Sequence, residues 1–143
     1  MPHGKDVDLV ILKAHLLIEE QINAMLHERL RNPDVLLNEE RFESIYRIRL
    51  AQSFFEPDHW PWMWSAVAQL NKLRNRVAHN IDPTGRENIM EDIVQKILMT
   101  AGTDDRPLQK RFEFALWCLF EAVSSLVEPE RASLLELVPR VKK

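Results

Sequence analysis

A chain of 143 residues, 45% hydrophobic and 29% charged, is sized and composed for one ordinary globular domain with a real core. Its three glycines are too few for a glycine-rich phosphate loop or a turn-dense β-sandwich, and a single cysteine excludes an internal disulfide and a cysteine-rich zinc site. The net charge of −3 and isoelectric point near 6.0 argue against general electrostatic capture of nucleic acid, yet leave room for a local basic site.

The chain opens on Met1-Pro2-His3-Gly4-Lys5-Asp6, which lacks the apolar core of a signal peptide. Nowhere do about 18 apolar residues run uninterrupted, so no membrane span and a cytoplasmic setting are expected. A first helix is predicted from about Asp6 to Arg31. Its apolar residues, from Leu9 to Leu30, cover most of its circumference, as in a helix buried by its own domain and by a partner chain. His15, Glu19 and Asn23 repeat at i, i+4 spacing as one polar stripe; Lys13, Glu20 and His27 form another.

Asn32-Pro33-Asp34 ends that helix. Asn38 is placed to cap a second helix over Glu39 to about Phe54, with Phe42, Ile45, Ile48 and Leu50 as its apolar contacts. Asp58 is placed to cap a third, with Pro61 in its first turn, running from Trp60 to about His79. Asn80-Ile81-Asp82-Pro83 reads as a turn. Thr84-Gly85-Arg86-Glu87 has capping-box spacing and predicts a fourth helix to about Thr100, stopped by Gly102. Asp105 and Pro107 open a fifth through about Val127, which includes Cys118 as a core thiol. A short last helix from Pro129 leads to the basic tail Arg140-Val141-Lys142-Lys143. No window alternates with period two. The fold predicted is therefore all-α: a single bundle of five or six helices over residues 1–143, with short flexible ends at about 1–5 and 139–143.

The third helix carries the chemistry. At 100° per residue, Met63, Ala66, Val67, Leu70, Leu73, Val77 and Ala78 gather on one side, and Arg74 falls among them. A guanidinium on a core stripe is costly unless it is paired or opens onto a cleft. Asn75 and His79, four apart, share the neighbouring polar face. An arginine and a histidine suit RNA cleavage without a metal. The histidine takes the proton of the ribose 2′-hydroxyl or protonates the leaving 5′-oxygen, and the arginine stabilises the pentacoordinate phosphate.

The stretch Leu70-Asn71-Lys72-Leu73-Arg74-Asn75-Arg76-Val77-Ala78-His79-Asn80 resembles the signature of HEPN domains, all-helical proteins with an Arg-x(4–6)-His motif whose first intervening residue is commonly polar, as Asn75 is here. The long apolar first helix and the motif at the end of a third fit the same plan. The resemblance implies a two-fold homodimer with the two motifs facing across a cleft, and a metal-independent endoribonuclease with no cofactor. It also implies a toxin paired with a nucleotidyltransferase antitoxin, or a role in defence. Carried over by position, Arg74 and His79 are the catalytic candidates and Asn75 their support. Mannitol operon repressor-like proteins have a similar helical outline and act through protein contacts, which gives a non-catalytic regulatory module as the alternative.

Each candidate also has a structural reading. Arg74 can form a buried ion pair with Glu19 or Glu20. His79 can serve the carbonyls that end its helix. Lys72 and Arg76 can contact phosphate or decorate a solvated face. His15, Glu19 and Asn23 can line a cleft opposite the motif or form an interhelical polar seam. Trp60, Trp62 and Trp64, with Phe54 and Phe55, can stack on bases or make core and interface. His15 and His27 have no metal-ligand spacing, and no metal site is expected.

Overall fold

The computed structural model describes residues 4–79, 85–99 and 105–127. Among them are six helices and no strand: α1 (Gly4–Arg29), α2 (Asp34–Leu37), α3 (Ser44–Gln52), α4 (Pro61–Ala78), α5 (Arg86–Leu98) and α6 (Leu108–Val127). None is long and apolar enough to cross a membrane. The expected short helix from Pro129, the turn at residues 80–83, Gly102 and the basic tail lie outside the described residues.

The helical periodicity selects the core. Ile11, Ile18, Ile22, Met25 and Leu26 form the inner face of α1. They meet Met63, Ala66, Val67, Leu70 and Leu73 of α4, Met90, Ile93 and Val94 of α5, and Phe112, Ala115, Leu119 and Val123 of α6. Helix α1 packs on α4 and α6, and α5 packs on the same two, so these four enclose the core. The short α3 leans on the outside, against α1 and α4. Burial of each large side chain contributes about 1.5–3 kcal/mol. The arginine of α5's first turn, Arg86, pairs with Asp8 of α1, and Arg111 of α6 pairs with Glu91 of α5 at 2.7 Å.

The helix boundaries differ from the sequence reading in physical detail. Asn38 does not open the second helix. Pro33 starts a single turn, in which the Leu37 N–H reaches the Pro33 carbonyl at 2.8 Å, and Asn38 closes it. Leu37 is buried by that turn. Helix α3 begins at Ser44, after Glu43 in extended conformation, and ends at Gln52. Nor does Asp58 cap the next helix. Trp60 holds that position with φ 47°, and Pro61 occupies the first turn as expected. Gly85 precedes α5 at φ 85°, where a side chain would be strained; the expected capping residue Thr84 lies outside the described residues. Met99 closes α5 one residue before the expected end.

One arginine fixes the placement of α3. Arg47 donates to Asn23 Oδ1 of α1 at 3.0 Å and to the Leu37 carbonyl at 2.6 Å, and lies over the Phe42 ring at 5.7 Å. Arg47→Ala is expected to cost about 2–3 kcal/mol, because it strands the Asn23, Leu37 and Phe42 oxygens and a ring face together. Urea unfolding monitored by circular dichroism should show a lower midpoint at unchanged slope; a midpoint equal to the parent's would mean that α3 is held by its apolar contacts alone.

Candidate functional site

The polar stripe of α1 turns inward at one flank of the core, and each of its members finds a partner on another helix. His15 Nε2 meets Asn71 Oδ1 of α4 at 3.0 Å. Ser44, the first residue of α3, donates to a Glu19 carboxylate oxygen. Asn23 accepts from Arg47 of α3. The stripe is thus an interhelical seam that anchors α3 and α4 to α1.

Beside this seam the last turns of α4 and the start of α3 leave a cleft of about 310 Å³. Asn71, Arg74, Asn75 and His79 line it from α4, and Glu43, Ser44 and Ile45 line it from the opposite side. Arg74 and His79 therefore open onto the same space. His79 is exposed, and its main-chain N–H, not its ring, closes the helix on the Asn75 carbonyl at 3.0 Å. Arg74 is half-buried and donates to Asn75 Oδ1 at 3.3 Å. Among the described residues it makes no ion pair. Glu19 is engaged with Ser44 and Glu20 is exposed, so the alternative reading of Arg74 as half of a buried pair with either finds no such contact among the described residues.

A guanidinium has five N–H donors, and the cleft leaves most of those of Arg74 without a carboxylate. Glu43 is the one acid on its lining. A guanidinium so placed has donors with which it can bind an oxyanion. Lys72 is exposed and Arg76 half-buried; neither lines the cleft, since each is 200° around the helix from Arg74. The aromatic group lies at the other end of α4, with about 21 Å of helix rise between Trp60 and Arg74. There Trp64 is buried, Phe55 stacks on His59 at 4.8 Å and His59 on Trp60 at 5.0 Å, so the cluster braces the start of α4. Cys118 is half-buried on α6, less enclosed than expected; burial and Glu121 push its thiol pKa up, away from thiolate chemistry. No cluster of three metal-ligating side chains occurs among the described residues.

Four residues of the cleft lining, Glu43, Ser44, Ile45 and Asn71, escaped the sequence reading as site candidates. Asn71 lies three positions before Arg74, on the same arc as Val67, and is buried. The wheel that placed Arg74 among apolar side chains places Asn71 there too. Ser44 has no such signal, because its role depends on where α3 begins.

Burial lowers the pKa of His15 below its ordinary value of 6.5, outweighing the raising effects of Glu19 and then of the Asn71 hydrogen bond, with the Arg74 charge the smallest contribution, on the lowering side. The unfolded chain therefore takes up this proton first as pH falls. The stability contributed by neutral His15 is complete above 6.5 and declines between 6.5 and the lower folded value. An NMR titration of the His15 ring protons should give a midpoint below 6.5; a midpoint at or above it would mean that the ring is hydrated or paired to a carboxylate.

No known protein family, curated protein or solved structure matches this chain, so the cleft itself is the basis for any functional assignment.

Proposed function

We propose that the protein is a HEPN-like, metal-independent RNA endonuclease, acting as a homodimer in the cytoplasm. The observation that carries this reading is the shared cleft: an arginine with no carboxylate partner among the described residues, and an exposed histidine five positions on, lining the same opening. In the proposed reaction the ribose 2′-oxygen attacks the adjacent phosphorus and the bond to the 5′-oxygen breaks. The products are a 2′,3′-cyclic phosphate and a free 5′-hydroxyl. His79 moves the proton at one of the two oxygens, and Arg74 stabilises the charge on the pentacoordinate phosphate. Asn75, hydrogen-bonded to Arg74, steadies the guanidinium.

One histidine per chain supplies one proton transfer, and a second copy would supply the other. Exposed leucines on α1 support such a pairing. Leu16 and Leu12 lie one and two turns before Glu19, on the flank that faces the seam, and Leu16 is 54% exposed. The resemblance further proposes a toxin or defence role, with a nucleotidyltransferase antitoxin as partner. A second reading, a non-catalytic regulatory module like the mannitol operon repressor-like proteins, is favoured by a separate apolar groove. This opening of about 280 Å³ lies between α1 and α6, beside Leu17, Leu116, Trp117 and Phe120, with Trp117 60% exposed.

The purified protein should cut RNA in the presence of a chelator and leave cyclic phosphate ends. His79→Ala is expected to slow cutting by about 10²–10⁴-fold. Arg74→Ala should abolish cutting while leaving the thermal midpoint near the parent's, because no buried carboxylate is left behind. Full activity in His79→Ala would remove the nuclease reading, as would activity lost on chelation and restored by a divalent ion.

Sedimentation at micromolar concentration should give a dimer. Leu16→Glu, which sets a charge into the exposed strip, should shift it to monomer and reduce cutting in parallel. A monomeric parent that cuts RNA would show that one cleft suffices.

A further inference from the structure

The buried pair His15–Asn71 is not used by the mechanism above. It lies in the interior, both residues being 5% exposed, beside the apolar Ile18, Val67 and Leu70 and next to the Glu19–Ser44 contact. Two apolar side chains of similar shape would hold α1 to α4 at least as well, because replacing both partners of a buried hydrogen bond is close to neutral. What distinguishes this pair is its location. His15 is sealed behind α4 and does not line the cleft, whereas Asn71 does, one turn before Arg74.

A carboxamide has two different ends on one planar group. The oxygen of Asn71 is turned to His15 Nε2 at 3.0 Å. That contact uses the ring as donor, and it commits the acceptor end of the carboxamide to the interior. The end left for the cleft is the NH₂, with two donors and no acceptor. With the guanidinium of Arg74 beside it, the cleft wall presents a run of N–H groups and no competing lone pair from Asn71.

We propose that Asn71 is a further substrate-binding residue, donating its side-chain NH₂ to a phosphoryl oxygen held by Arg74, and that His15 is the positioning residue that keeps this donor facing the cleft. The proposal rests on the reading of the cleft as a phosphodiester site. Burial favours the neutral form of His15, so its ring orients Asn71 without adding a second positive charge behind the cleft. Glu19, on the next turn of α1, is held by Ser44.

The test is titration of the full chain with inorganic phosphate, followed by ¹H–¹⁵N spectra of the side-chain groups. In the parent, the Asn71 NH₂ pair and the Arg74 Nε–H signal should shift together along one binding curve. The double variant His15→Phe/Asn71→Leu removes both polar partners, so it should melt close to the parent yet bind phosphate about tenfold more weakly. His15→Gln, which retains a donor toward Asn71, should stay within about threefold of the parent. A merely structural pair predicts parent affinity in the double variant, and that result would overturn the proposal. So would an Arg74 signal that shifts while the Asn71 NH₂ pair stays still. RNA cutting separates this inference from the reading beneath it. A parent that binds phosphate as described but leaves RNA intact sinks the nuclease and keeps the oxyanion site. A parent that cuts RNA with the Asn71 signals unmoved keeps the nuclease and sinks this assignment.

Discussion

Three polar side chains on the inward flank of α1 must be satisfied before that helix can enter the core, and the site exists because of how they are. Unpaired, each would cost about 1–3 kcal/mol in desolvation. His15 is answered by Asn71, Glu19 by Ser44 and Asn23 by Arg47, so the stripe fixes α4 and α3 at successive levels of α1. The apolar face of α1 alone sets no such register, since a slide by one turn would exchange one aliphatic residue for another. The hydrogen bonds allow one alignment, and in that alignment the C-terminal turns of α4 face the N-terminus of α3 across open space.

The electrostatics of that space run against those of the chain. The protein carries a net charge of −3, yet the cleft holds a guanidinium with one acid on its rim. At about 0.15 M ionic strength, charges beyond roughly 8 Å are screened, so a bound anion answers to Arg74 more than to the distant carboxylates. The acidic overall balance therefore bears on the rate at which a polyanion arrives more than on its hold once seated.

The long helices were legible because their apolar periodicity is strong and each stays on one side of the core. The inner faces of α1, α4, α5 and α6 follow from spacing alone. The joins were less legible. Asn38 and Asp58 have the right chemistry for caps, but buried Leu37 and the stacked His59–Trp60 pair settle the local backbone instead. Within the site, the Arg74–His79 spacing already placed both side chains near one helix end. The alternative of an Arg74 ion pair with Glu19 could not be weighed on the helical wheel, because Glu19 is claimed by a hydroxyl whose position depends on where α3 starts. That start follows from tertiary packing, which a single helical wheel does not contain.

The wall of the cleft formed by α3 differs in kind from the wall formed by α4. Helix α4 sinks seven residues into the interior, whereas the nine-residue α3 fully buries only Ile48 and Ala51, packs Ile45 and Leu50 at the edge of the core, and adds side-chain hydrogen bonds. A segment with so little buried apolar surface detaches at a free energy well below that of global unfolding. The arginine and histidine thus belong to the more deeply buried half of the cleft, and the opposing half to the helix with less buried apolar surface. Anything that bridges Arg74 and the first turn of α3 would tighten that helix, and the ordering of α3 would draw on part of the binding energy.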